Sequence, residues 1–297
     1  MSRSTFATPS PIAVTLDLYV ANVRITASDR TETTADVRPT DPNKAADLKA
    51  AENTRVEYDE TTRTLSVVSR KPVTRFVNFS SKRPESIDVV LELPTDSDLS
   101  GDAELGDFEA VGALGTVVIK TNLGSVRLAE TGPLSVRGGV GRISVEAVSG
   151  SARVHSASSE IRIGSVDGVA EVSNSNGRVQ VGSITGAANL KVSNGSLTVE
   201  RALSDITAAS ANGEVRIGEV VRGKVSATSK NGSVEVGVRE GSAAWLELNA
   251  SVGHVYNELA SADAPAADEP VERVEIQAGT KLGDVTIRRA QRLDTEA

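Results

Sequence analysis

The sequence predicts an all-β protein: a parallel β-solenoid of about 18 residues per coil, with an N-terminal β cap and a C-terminal cap. Three observations carry this. A glycine-led phrase returns at Gly106, Gly124, Gly141, Gly177, Gly195, Gly213 and Gly232, with Ser159 as the one copy lacking glycine. Successive copies are spaced 18, 17, 18, 18, 18, 18 and 19 apart, and a fixed period in this range marks a stacked-repeat architecture. Inside each copy the alternation has period two, with Val179 and Val181 on one side and Arg178 and Gln180 on the other. Four consecutive copies reach the phrase through Asn-Gly, at Asn176-Gly177, Asn194-Gly195, Asn212-Gly213 and Asn231-Gly232.

A second glycine-led phrase falls midway between copies, as at Gly168 and Gly186, so each unit holds two half-coils. Neither half can bury its apolar face alone, and stacking on neighbouring coils does so. Asn-Gly alone would suit a hairpin. Recurring at one phase of the period, it is better read as a coil corner, with the asparagines stacked as a ladder. A left-handed hexapeptide helix has the same coil length, but the apolar offsets 0, 2, 5, 9, 11 and 13 from Val179 lack a hexad rhythm. The Gly-Gly-x-Gly-x-Asp phrase of calcium β-rolls is absent, which disfavours calcium. Two or three short strands per coil are expected, with right-handed crossovers as the general rule for parallel strands. Eight or so coils at roughly 4.8 Å each would span about 40 Å.

Taken in order, Ile12–Val20 and Asn22–Thr26 alternate as two strands and Thr33–Arg38 as a third. Pro39-Thr40-Asp41-Pro42 is a turn, and Asp41 or Asn43 could cap a short helix from Lys44 to Glu52. Strands follow at Arg55–Tyr58, Thr64–Ser69 and Ile87–Leu93. Residues 1–100 thus read as an N-terminal β region capping the solenoid, and 101–257 as the repeats. Residues 258–270 are an acidic Ala/Pro loop, and 271–297 hold the last strands and a tail. The gap from Gly253 to Gly283 reads as an insertion, and Trp245, the one Trp, as a seal on the C-terminal end.

Aromatic residues make up 3% of the chain, so the core is mainly Val, Ile, Leu and Ala, which suits a narrow solenoid. Net charge is −8, from 32 basic and 40 acidic residues, which argues against a general nucleic-acid binder. The absence of Cys excludes a disulfide framework and thiolate metal sites. The N-terminal residues lack an apolar signal region, and no run is long enough for a transmembrane segment, so a cytoplasmic location is expected.

Residues 61–84 contain no acid in a chain of net charge −8. Arg63, Arg70, Lys71, Arg75, Lys82 and Arg83, with Phe76 and Phe79 among them, form a candidate ligand or partner contact. Asp102, Glu104, Asp107 and Glu109 form an acidic run that reads as a solvated face rather than a metal site. His155 and His254 lie in distant copies with no partners at ligand spacing. No catalytic residue, cofactor site or metal site is identified.

The Asn-Gly-x-Val-x-Val-Gly phrases, the lead Val23-Arg24-Ile25-Thr26-Ala27-Ser28-Asp29-Arg30 and the ending Gly283-Asp284-Val285-Thr286-Ile287-Arg288-Arg289-Ala290 carry a resemblance. They resemble a bacterial β-strand-repeat family of uncharacterised function labelled "putative adhesin", actinobacterial members above all. The resemblance covers nearly the whole chain and implies a fold, no catalytic residues and, through its label, a surface location. The expected function is a non-enzymatic structural or protein-interaction scaffold, with an unknown protein partner or self-association. The alternative is a surface adhesin-like binding module. An enzyme is disfavoured because the repeats between Gly106 and Gly232 admit no long loops to wall a cleft.

Overall fold

The computed structural model describes residues 2–69, 85–259 and 272–290. Its N-terminal strands are β1 (Ser2–Ala7), β2 (Ala13–Ser28) and β3 (Glu32–Pro39), followed by helix α1 (Ala45–Asn53). Next come β4 (Arg55–Asp59), β5 (Thr64–Val68), β6 (Ile87–Pro94), β7 (Asp98–Leu114), β8 (Val117–Leu123), β9 (Val126–Thr131) and β10 (Leu134–Val148). The second half holds β11 (Ala152–Val166), β12 (Ala170–Asn176), β13 (Val179–Ile184), β14 (Ala188–Asn194), β15 (Leu197–Ala202), β16 (Ile206–Asn212) and β17 (Val215–Val220). It ends with β18 (Gly223–Asn231), β19 (Val234–Val238), β20 (Ala243–Val252), β21 (Val255–Asn257), β22 (Arg273–Leu282) and β23 (Val285–Arg289). Two compact units are present, Met1–Ser149 and Gly150–Ala297. The architecture is a parallel β-solenoid, with one or two strands to a coil.

In the second unit the pairing order is β11, then β12 with β13, β14 with β15, β16 with β17 and β18 with β19, all parallel. Side chains of like phase stack into columns. Val179, Leu197, Val215, Val234 and Val285 form one such column, each essentially inaccessible to solvent. Fully burying each of these side chains is worth roughly 1.5–3 kcal/mol, and none would be buried without the coils on either side.

The corners follow from the Asn-Gly pairs. Gly195 has φ +142°, and a Cβ there would lie 2.1 Å from the Gly177 carbonyl oxygen of the adjacent coil. Only glycine satisfies both the backbone angle and the contact. The asparagines form the anticipated ladder: Asn194 donates to Asn176 Oδ1 at 3.0 Å, Asn212 to Asn194 at 2.8 Å, and Asn231 to Asn212 at 2.7 Å. A second ladder, unforeseen from the sequence, lies just inside it. Thr121, Ser210, Ser229 and Thr280 donate their hydroxyls to the carbonyls of Gly106, Gly195, Gly213 and Gly232. Where Ser159 replaces glycine, the longer Asn174 reaches its carbonyl at 2.8 Å. These buried polar side chains supply the partners that corner carbonyls need once the backbone turns away from its ladder.

Both units depart from the expected order of stacking. The predicted pair of strands Ile12–Val20 and Asn22–Thr26 is one strand, β2. Its buried residues run Val14, Leu16 and Leu18, then Ala21, Val23 and Ile25. The odd step from Leu18 to Ala21 shifts the alternation at the bend and makes one bent strand read as two. β2 is itself a coil: it pairs in parallel with β7 on one side, Ala13 against Asp98 and Thr26 against Val111. On its other side lie β5 and β6, also parallel. The outer edge of that β5/β6 coil is covered antiparallel by β4 and β3, with β1 beyond β3. At the far end of the second unit, β22 and β23 lie between β18/β19 and β20/β21. The chain steps past one level after β19, then returns to fill it. The Gly253 and Gly283 phrases lie on adjacent coils 30 residues apart, with the order of the two coils reversed. Residues 260–271 of the anticipated acidic loop lie outside the described residues.

Helix α1 forms where expected, but its N-cap residue Lys44 makes no side-chain cap bond. The fixed point is Asp47 in its first turn, 2% exposed. Asp47 accepts from the Asp41 and Ser86 N–H groups at 3.2 and 3.1 Å and pairs with the Lys44 ammonium at 2.8 Å. It therefore ties the helix to the turn before it and to the approach to β6. Among the described residues no helix is long and apolar enough to cross a membrane.

Candidate functional site

The outward positions of the coils carry mostly compensated charge. In the second unit Arg153 pairs with Glu171, Arg201 and Arg239 with Glu219, Arg288 with Glu235, and Lys224 with Glu275. Each links adjacent coils or nearby turns. The exposed pairs among them contribute little individually, roughly 0–1 kcal/mol.

One face breaks that pattern. A groove of about 550 Å³ crosses the coils of the second unit near the Asn-Gly corners. Lys191, Lys230 and Lys281 line it, with Ser173, Ser175, Ser193, Thr228, Asn249 and Ser251 between them, and no carboxylate is in the lining. The positions follow from register. Lys191, Ala209, Thr228, Gly279 and Asn249 occupy one outward column. Lys230 and Lys281 occupy the same phase of neighbouring coils, between the pairs Ser229–Thr280 and Asn231–Leu282. Small residues at the column positions between the lysines leave the hollow. All three lysines are exposed and, among the described residues, have no carboxylate partner, whereas the unit's fourth lysine, Lys224, has Glu275. Such a face suits an anionic, extended ligand lying across the strands, held by ammonium groups and hydroxyl donors.

Of the basic segment singled out in the sequence, Arg63 is described. It is exposed in the β4–β5 turn with φ +51°, and its carbonyl accepts from the Ala13 N–H at 3.0 Å. Arg70, Lys71, Arg75, Phe76, Phe79, Lys82 and Arg83 lie outside the described residues. In the acidic run, Glu104 accepts from Asn122, Asp107 from the Ser125 N–H, and Glu109 from Arg127. Those three carboxylates are spread over separate partners, and among the described residues no group of three or more metal-capable side chains occurs.

His155 is the register partner of Ser173, one coil beyond the groove lining. His254 lies 3.7 Å from Asp284 and packs its ring 5.9 Å from that of Tyr256. The expectation that Trp245 seals the C-terminal end is corrected: it is 60% exposed. It stands opposite Glu275, between the positions whose partners Val274 and Ile276 are buried, so it faces outward. There it borders a second hollow of about 640 Å³ with Lys224, Arg273 and Glu275.

No curated protein matches the sequence. Among solved structures the chain is similar to a "putative adhesin" from Parabacteroides merdae, at 14% identity over 98% of this chain and 96% of that one, with a TM-score of 0.36. It is similar to another from Bacteroides fragilis, at 12% identity over 96% of each chain, with a TM-score of 0.30. A "putative cell adhesion protein" from Clostridium sporogenes aligns at 10% identity over 97% of this chain and 99% of that one, with a TM-score of 0.21. The family model described as Toastrack DUF4097 matches residues 13–288, and the chain belongs to that family.

Proposed function

We propose that the protein is a non-catalytic interaction scaffold whose lysine-lined groove holds an acidic segment of a partner protein. The observation that carries this reading is the convergence of Lys191, Lys230 and Lys281, without carboxylate partners among the described residues, on one hollow in a chain of net charge −8. The stacked coils hold the three lysine positions at fixed spacing without needing a ligand to order them, which lowers the cost of binding. A cytoplasmic location, proposed from the sequence, is checked by cell fractionation.

The direct test is titration of the full chain with poly-L-glutamate, with dextran sulfate and uncharged dextran beside it. Binding of poly-L-glutamate that weakens with salt and is lost in the Lys191→Glu/Lys230→Glu/Lys281→Glu variant supports the proposal. Preference for dextran sulfate, lost in the same variant, would replace the protein scaffold with a surface polysaccharide-binding module. Binding unchanged by the triple substitution overturns the groove as the site.

A further inference from the structure

The geometry points to a homodimer formed by antiparallel edge pairing of β20 with β20 of a second copy, about a two-fold axis at Leu248. β20 and β21 make the outermost coil of the second unit. Among the described residues β20 pairs only with β22 and β21 only with β23. Among the described residues one edge of β20 is therefore open. Ala243 gives its N–H to the Glu272 carbonyl at 2.9 Å, so the odd-numbered residues turn their backbone groups toward β22. Ala244, Leu246, Leu248 and Ala250 turn theirs to the open side. The same four side chains continue the inward columns of Val274, Ile276, Ala278 and Thr280. Their partners are buried; they themselves are half-exposed. An unpaired backbone row and an uncovered apolar row thus coincide.

Natural sheets blunt such edges with lysine, proline, bulges, charges or a covering element. The first unit does so: β4 and β3 cover the β5/β6 coil, and Arg55, Glu57 and Asp59 put charges at alternate positions of β4. β20 carries no Lys, Arg or Pro, and its one charge is Glu247. A long open edge whose even positions are both apolar and donor-bearing selects a strand of the same pattern. β20 of a second copy is such a strand.

The registers that pair most of β20 with its copy have their axis at Glu247 or Leu248, the two residues at its midpoint. Even residues must face even residues, both to exchange backbone hydrogen bonds and to keep the apolar row continuous. An axis at Glu247 would set Glu247 against its own copy, and like charges directly opposite are unfavourable. An axis at Leu248 sets Leu246 against Ala250, Ala244 against Val252, and Glu247 against Asn249. The contact is isologous and closes after two copies, so it yields a dimer and no filament.

Sedimentation equilibrium of the full chain, from micromolar to near-millimolar concentration, tests this with two variants. Asn249→Glu places two Glu–Glu pairs across the axis and weakens the dimer by roughly tenfold. Adding Glu247→Lys converts both pairs to Lys–Glu and restores it. Both positions are exposed, so a loss followed by rescue cannot come from misfolding. A monomer at every concentration overturns the proposal, as occupation of this edge by another part of the same chain would require. An assembly larger than a dimer also overturns it, as does a dimer indifferent to both substitutions.

Discussion

Asn212 donates its side-chain amide to Asn194 Oδ1 at 2.8 Å while its own Oδ1 accepts from Asn231 at 2.7 Å. Each asparagine therefore orients the next, and the ladder has a direction. Asn212→Ala removes two exposed bonds and lowers stability by about 1–2 kcal/mol. Asn212→Asp keeps the acceptor but turns oxygen toward Asn194 Oδ1. It costs more than the alanine variant at neutral pH and recovers on acidification. Denaturant midpoints at pH 7 and pH 4 measure both effects.

The corner glycines should be far less tolerant than the asparagines beside them. Gly195→Ala puts a Cβ 2.1 Å from the Gly177 carbonyl oxygen at φ +142°. The obstruction is backbone, so no side-chain rotation relieves it, and a loss of about 2–4 kcal/mol is expected in urea unfolding. Gly241→Ala is the control. Its φ is +85°, but nothing lies within 4 Å, so it carries the conformational cost without the collision.

Ser229 donates to the Gly213 carbonyl at 2.9 Å from a site 5% exposed. Ser229→Ala leaves that carbonyl short of a partner and costs about 1–3 kcal/mol. Ser229→Thr preserves the hydroxyl, as Thr280 does at the same phase one coil further on, and retains most of the stability. Thermal unfolding of the two variants separates hydrogen bonding from packing.

Asp47 links α1 to Ser86. Burial raises its pKa, but the Lys44 ammonium and the Ser86 and Asp41 N–H groups outweigh burial and hold the carboxyl below its ordinary range. A carboxyl with a lowered folded value binds its proton more readily in the unfolded chain. Its stabilisation is thus complete above the ordinary range, about pH 4, and is lost as pH falls through the lower folded value. Asp47→Asn removes this acid-side loss and is less stable than wild type at pH 7. Asp47→Ala is less stable still. Urea midpoints between pH 7 and pH 3 test the order.

Arg289 reaches back to the Arg239 and Ser242 carbonyls at 3.0 and 3.2 Å, fastening the turn that carries the chain past the β22/β23 level. Arg289→Ala should raise hydrogen-exchange rates in β20, β22 and β23 by at least tenfold and leave β12 to β17 unchanged. Uniform exchange across the second unit would show that the fastening is immaterial.

The parts of the fold legible in the sequence are those set by neighbours one coil apart. The repeat spacing puts Asn194 over Asn176 and Leu197 over Val179, so the period alone states the contact. The pairings of β2 with β7 and of β18 with β22 join positions separated by several periods, Ala13 to Asp98 and Gly223 to Val274. A period says which residues share a phase and nothing about which coil lies next to which. Being the single Trp of the chain says nothing of where Trp245 sits, whereas its phase does. Counting from Ala244, Leu246 and Leu248 puts it on the outward phase. The groove lysines were legible in principle, since Lys230 and Lys281 share a phase, but each stands alone in its own coil and only stacking assembles them.

The order of stacking changes how the chain can come apart. A repeat array whose last segment in sequence is also its last layer can peel from that tip one layer at a time. Here the late segment Arg273–Arg289 is clamped between two layers. The early segment Ala13–Ser28 is held likewise. A pull through either segment meets strands bonded along both edges, so at these two segments the chain comes free by prising layers apart rather than by peeling.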